Sequence, residues 1–324
     1  MNNPTPNAQS VFEWAQKIRE NIGKVIVGKQ EVIDLLLAAM LSNGHVLIND
    51  YPGSGKTMLA KSLAKSLGMQ FQRIQGTPDL LPTDVTGVSY YDQKQNNFIF
   101  RNGPIFTQLL LFDEINRATP RTQSALLEAM AEMQVTVDRD TMRLPEPFMA
   151  IATQNPVEME GTFPLPEAQL DRFIISAQMG YPEEEEELFM TRRFKTEEPL
   201  ETIEAVSFSD DIMRMQQKIR TAIWAPDVER YLVAIIRGTR NHPLIELGAS
   251  PRATLALYRM CEAWAFMNGR IFVEPDDVKK MAAPVLAHRL IMKSSIRRRT
   301  SGAKDVITEI IASVIAPVEF TKGR

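Results

Sequence analysis

The sequence predicts an α/β fold, a doubly wound parallel sheet between helices, followed by a smaller all-helical domain. Three observations predict it. His45 to Thr57 read HVLINDYPGSGKT, an apolar strand running straight into a glycine-rich loop. TQLLLFDEI (107–115) and PFMAIATQN (147–155) are strand-length runs with apolar residues at successive positions, as expected of parallel strands covered on both faces. Beyond about residue 200 only helical spacing is found and no convincing strand.

Taken in order, residues 11–42 carry helical apolar spacing, interrupted in KVIVGKQ by Gly28. The strand HVLIN and its loop lead into MLAKSLAKSLG (58–68), an amphipathic helix that ends at Gly68, and then into a second short strand, QFQRIQ (70–75). The stretch TPDLLPTDVTGVSYYDQKQNNFIFRNG, from Thr77, is too long for a plain connection. QVTVDRDTMRLPEP (134–147) alternates like a hairpin, and LPEAQLDRF predicts a short helix carrying Arg172. Glu183 to Glu187 open a charged helix, most simply a solvated start favoured by the helix dipole. Pro199 marks a break that separates domains 1–198 and 199–324. SDDIMRMQQKIRTAI, PDVERYLVAIIRGTR, SPRATLALYRMCEAWAFMNGR, EPDDVKKMAAPVLAHRL and DVITEIIASVIA then read as helices, several opened by Ser, Asp or Pro.

The 324 residues are 44% hydrophobic and 24% charged with a net charge of -3, which gives no global attraction to nucleic acid or anionic lipid. Cys261 is the single cysteine, so neither an intrachain disulfide nor a multi-cysteine metal site can form. No export signal and no run of the roughly 20 apolar residues a membrane helix needs is visible, and a cytoplasmic protein is expected. His45, His242 and His288 lack ligand spacing. Arg297, Arg298 and Arg299 read as solvated or intersubunit arginines rather than a nucleic-acid patch. The seventeen methionines read as core filler.

The chemistry concentrates in the loop. G-x-x-x-x-G-K-[ST] is the pattern of a phosphate-binding loop, in which backbone N–H groups at a helix N-terminus cradle phosphates. Here those amides would come from Gly53, Ser54, Gly55, Lys56 and Thr57, with Pro52 and Met58 flanking them as further nucleotide-binding positions. Lys56 would reach the β and γ phosphates of ATP, and the Thr57 hydroxyl would bind Mg²⁺. Asp50 holds the place of the pattern's first glycine. That position precedes the phosphate-binding amides, so its role is expected to be backbone geometry. Asp tolerates a left-handed backbone or a turn start, and its carboxylate should bond local amides and point away from phosphate. Asp50→Gly is accordingly expected to keep nucleotide binding. QLLLFDEI places Asp113 to hold the Mg²⁺ shell and Glu114 to activate water. Asn155 either contacts the γ-phosphate and water or simply starts a turn before Pro156. Arg172 either reaches a neighbouring subunit's γ-phosphate or pairs with Asp171 or another acid.

Taken together, VGKQ, PGSGKT, LLLFDEINRATPRTQSALLEAM, ATQNPVEMEGTFPLPEAQLDRF and LGASPRA resemble the MoxR family of AAA+ ATPases over about residues 11–290. The resemblance implies a P-loop NTPase core with a helical lid, and Mg²⁺-dependent ATP hydrolysis by a ring, a hexamer, that remodels a client protein. It makes Asn155 the sensor-1 residue, Arg172 the arginine finger and Arg252 the sensor-2 arginine, acting in its own subunit or the next. It sets Val27 and Gly28 beside the adenine. Residues 77–104 become a helix-2 insert facing the pore, and 134–147 a pre-sensor-1 hairpin. Tyr90, Tyr91, Phe98 and Phe100 are read as packing the insert's own small sheet rather than gripping a client. A von Willebrand factor A domain partner is implied by the family, with neither nucleic acid nor membrane insertion. The alternatives are a nucleic-acid motor and a slow nucleotide-dependent scaffold or switch.

Overall fold

A computed structural model of the chain describes residues 6–94, 96–137, 140–155, 161–193, 199–293 and 302–317. Helices α1 (Pro6–Gly23) and α2 (Gln30–Leu41) are separated at Gly28, which takes φ +69°. β1 (His45–Asn49) enters the glycine loop, α3 (Lys56–Ser66) leaves it, and β2 (Phe71–Gln75) follows. The insert is a short helix, α4 (Pro82–Thr86), and an antiparallel hairpin of β3 (Gly87–Asp92) and β4 (Asn97–Asn102). Glycine is required at the hairpin base: a Cβ on Gly87 would run into the backbone of Arg101 and Gly103, and one on Gly103 into the backbone of Val85 to Gly87. Next come β5 (Leu109–Asp113), α5 (Pro120–Glu132) and a second hairpin, β6 (Gln134–Val137) and β7 (Asp140–Arg143). β8 (Met149–Gln154), α6 (Glu167–Leu170), β9 (Phe173–Ala177) and α7 (Glu184–Arg193) complete the first half.

The central sheet is parallel throughout, in the order β2-β5-β8-β1-β9. All five residues of β5 are buried. Leu109 and Leu111 join the core against α1–α3, whereas Leu110 and Phe112 join the core against α5. Apolar residues at every position thus serve two faces. Parallel strands put all their C-terminal ends on one edge, where β1, β5 and β8 deliver the glycine loop, the acids and Asn155.

The later helices are α8 (Ser209–Ile219), α9 (Pro226–Asn241), α10 (Pro251–Met267), α11 (Pro275–Leu286) and α12 (Ala303–Ser313). Apolar residues from all five join the core that backs α1 and α2. Ser250 caps α10, its hydroxyl accepting the Ala253 N–H. Two expectations need correction. The helical half does contain β structure, a small antiparallel pair of β10 (Ile245–Leu247) and β11 (Ile291–Met292) and a bridge between Ile223 and Phe272. Arg172 is not helical: α6 ends at Leu170, and Arg172 occupies the turn before β9, a strand the sequence reading passed over. The 198/199 boundary and Arg297 to Arg299 lie against or outside the described residues.

Of the insert aromatics, Tyr90, Tyr91 and Phe98 are exposed. Tyr91 and Phe98, cross-strand partners, meet edge-to-face at 5.3 Å, yet Phe98 remains 69% exposed. Phe100 does pack, against Phe106. Among the described residues no helix is long and apolar enough to cross a membrane.

Candidate active site

The glycine loop connects β1 to α3 with Gly53 and Gly55 at φ +80° and +85°, left-handed values that favour glycine. It borders a cavity of about 430 Å³. Pro52 to Met58 line one side, and Asp113, Glu114 and Asn155 line the other. The Lys56 ammonium donates to the Tyr51 carbonyl at 2.6 Å and to the Asp50 carbonyl at 3.2 Å, so the loop's own carbonyls hold it at the cavity.

The two acids are oriented by groups that the motif does not contain. The Thr153 hydroxyl, fully buried on β8, donates to Asp113 Oδ1 at 2.6 Å and accepts the Glu114 N–H at 2.9 Å. Arg73 on β2 donates to Asp113 Oδ2 at 2.7 Å. Gln75 and Arg117 donate to Glu114 Oε2 at 2.9 and 3.1 Å. Glu114 has left-handed backbone angles, φ 55° and ψ 53°, a strained conformation for a non-glycine residue. The glycine at 76 follows from it, since a Cβ there would strike the Glu114 carbonyl. Thr57 and Asp113 offer hard oxygen donors on the same cavity, the donor type Mg²⁺ takes. Among the described residues no group of three or more His, Cys, Asp or Glu is placed to hold a metal.

A second cavity of about 570 Å³ continues from the loop. Val27 lines it together with Val25, Ile26, Met58, Met179 and Tyr181. Gly28 does not border it; the Glu186 side chain of α7 lies against Gly28 instead. Glu186 also faces Lys29 at 3.9 Å, so this member of the glutamate run is packed against the site rather than merely solvated.

Arg172 and Arg252 border neither cavity. They share a third, at the N-terminal ends of β1 and β9, with Asn43, His45, Arg259 and Arg289. The Asp171 carboxylate is engaged by Arg289 at 2.8 Å and by the Ser250 hydroxyl at 3.0 Å. Arg172 is therefore not the partner of Asp171, and neither Arg172 nor Arg252 makes an ion pair among the described residues. His45 is buried, and His288 half-buried, in the same region. Burial lowers the His45 pKa to about 4; burial and then the Arg289 charge lower that of His288 to about 3.

Asp50 departs from its expected reason for being there. Its backbone is not left-handed. Its carboxylate does avoid the phosphate cavity and accepts the Tyr51 N–H at 2.8 Å, but it also accepts the Met179 and Gly180 N–H groups at 2.7 and 2.9 Å. A glycine at position 50 would leave those amides without their acceptor, so a neutral Asp50→Gly is no longer expected.

Sequence reasoning missed Arg73, Gln75, Thr153 and the Met179–Tyr181 segment. Thr153 had a faint signal, lying on the strand two residues before Asn155, which follows its end.

A model of the ATPase family associated with various cellular activities (AAA) matches residues 45–175, and a model of the AAA lid domain matches residues 237–310. The uncharacterized protein YeaC of Bacillus subtilis is 47% identical over 95% of this chain and 96% of its own. The chaperone MoxR1 of Mycobacterium tuberculosis is 36% identical over 91% and 80%, and the MoxR protein of Methylorubrum extorquens 31% identical over 98% and 100%. A crystal structure of a proposed ATPase from Cytophaga hutchinsonii superposes with a TM-score of 0.89 at 35% identity, covering 96% of this chain and 97% of the other.

Proposed function

The chain belongs to the MoxR family of AAA+ ATPases, and from that premise we propose that it hydrolyses ATP with Mg²⁺ at sites shared between neighbouring copies in a ring. The observation that carries this reading is the division of its functional residues between opposite ends of one sheet. Lys56, Thr57, Asp113, Glu114 and Asn155 converge on the cavity at the C-terminal edge. Arg172 and Arg252 occupy the N-terminal edge, one strand length away, and β1 alone spans roughly 16 Å.

In this mechanism the amides of Gly53 to Thr57 and the α3 N-terminus bind the phosphates, and Lys56 exchanges its loop carbonyls for phosphate oxygens. The Thr57 hydroxyl and the Asp113 carboxylate would hold Mg²⁺, which neutralises phosphate charge when bound. Glu114 accepts the proton of the attacking water, with Gln75 and Arg117 fixing one of its oxygens. Asn155 orients that water or the γ-phosphate. Arg172 completes the site of the adjacent copy, and Arg252, beside it, acts in trans as well. Contacts that join two different faces are head-to-tail and form a ring when the rotation between copies closes, a hexamer in this proposal. The biological output is cytoplasmic remodelling of a client protein, recruited with a von Willebrand factor A domain partner.

Glu114→Gln tests the chemistry. It should retain ATP while turnover falls about 100-fold or more, whereas Lys56→Ala should lose ATP itself. Near-normal turnover in Glu114→Gln would remove the assignment. DNA should leave the rate unchanged, and a cognate protein partner should alter it.

A further inference from the structure

Asp50 stands at the junction of β1 and the phosphate loop, only 3% exposed. Buried carboxylates are costly unless their oxygens find donors, and here three backbone amides supply them. One belongs to Tyr51, the next residue. The others belong to Met179 and Gly180, just past the end of β9 and far away in sequence. From there the chain continues through Tyr181 and Pro182 toward α7.

That distant segment forms part of the second cavity. Met179, Tyr181 and Pro182 line it together with Val25, Ile26 and Val27, and Pro52 to Gly55 of the phosphate loop border it as well. The Tyr181 ring stacks on Tyr51 at 5.5 Å and 14°, and the Lys29 ammonium donates to the Tyr181 carbonyl at 2.9 Å. A largely apolar space continuous with a phosphate cradle suits the base and sugar of a nucleotide. Its Tyr181 wall belongs to a different part of the chain from the cradle. The Asp50 carboxylate bridges the two.

We propose that Asp50 is a positioning residue that holds the Met179–Tyr181 wall in register with the phosphate loop, so that base and triphosphate are gripped together. The proposal rests on the reading of the site as an ATP site. It gives the acid at the pattern's first-glycine position a role that glycine cannot fill, because the bridge needs an acceptor with two oxygens. Asparagine keeps the shape but replaces one oxygen with an NH₂ group that would face amide donors.

The test is Asp50→Asn, with ATP and inorganic tripolyphosphate titrated separately by calorimetry in Mg²⁺ buffer and folding followed by thermal melting. Affinity for ATP should fall about 10-fold, while affinity for tripolyphosphate, which does not use the wall, changes less than about 3-fold. At saturating ATP the rate should largely recover, so KM rises more than kcat falls. Tyr181→Ala removes an exposed ring of the same wall and should give the same split even if Asp50→Asn folds poorly. Equal losses for both ligands, or unchanged ATP affinity in folded Asp50→Asn, would overturn the proposal. A wild-type protein that binds tripolyphosphate and ATP equally would overturn it too, whereas one that binds neither would defeat the ATP reading itself.

Discussion

If Arg172 serves the neighbouring copy, two inactive variants should repair each other. Arg172→Ala keeps an intact phosphate cavity, and Lys56→Ala keeps an intact arginine. The magnitude follows from the geometry. Because the two sets of residues sit at opposite ends of the sheet, each productive site takes its cavity from one chain and its arginine from the next. Loss of such an arginine costs about 10³- to 10⁵-fold in rate, so each variant alone should be nearly silent. In a random equal mixture about one quarter of head-to-tail contacts pair an Arg172→Ala cavity with a Lys56→Ala arginine. Activity should therefore return to about a quarter of the wild-type rate, well over 100-fold above either parent. It should also vary as x(1−x) with the mixing fraction x, peaking at equal amounts. The assay is phosphate release after the two proteins are dissociated and reassembled, with mixed composition verified by differently tagged chains. Silence at every ratio in rings proven to be mixed would refute the trans assignment. So would full activity in dilute monomer.

Two further predictions concern the same structure. Arg73 neutralises Asp113 at 2.7 Å from a half-exposed position, a pair worth about 1 kcal/mol after screening. Because a metal at Asp113 must displace it, Arg73→Ala should lower the half-saturating Mg²⁺ for ATPase activity about 5-fold, and an unchanged or raised Mg²⁺ requirement would disprove the competition. Acid should weaken the fold through His45 and His288, held at about 4 and about 3 against an ordinary 6.5: the unfolded chain takes both protons below 6.5 and the folded chain does not, so roughly 4 kcal/mol is lost by pH 5. Glu262, pushed up to about 7 mainly by burial, works in the opposite sense over the same interval, so urea unfolding of Glu262→Gln at pH 7.5 and pH 5 reads the loss cleanly, and equal stability at the two would refute it.

The parts of the site legible in the sequence were those whose signal is local. Apolar runs ending in Asp113-Glu114 and in Asn155 announced parallel strands with chemistry at their C-terminal ends, and both lie where that reading places them. What escaped was non-local or short. Arg73 and Gln75 lie on the edge strand β2, where Gln72, Arg73 and Gln75 are all exposed and look like ordinary surface. Only the pairing of β2 with β5, Arg73 opposite Leu111 and Gln75 opposite Asp113, brings them to the acids. β10 and β11 are three and two residues long, too short for a period to register in a helical background.

The most consequential omission was β9, because FIISA follows a helix-like stretch and spans only five residues. Its ends are both tied. At the start, Arg289 donates to Asp171 and to the carbonyls of Phe173 and Ile174, holding the strand to the helical half of the chain. At the far end, the Met179 and Gly180 amides are held by Asp50 of the phosphate loop. Along its length β9 pairs with β1, the strand that delivers that loop. A five-residue parallel strand thus runs from the turn bearing Arg172, proposed to serve the next copy, to the wall of the chain's own proposed base pocket. Two half-sites fixed to opposite ends of one short rod cannot be positioned independently. The sequence motifs mark each half-site separately, and only the pairing of a strand without a motif joins them.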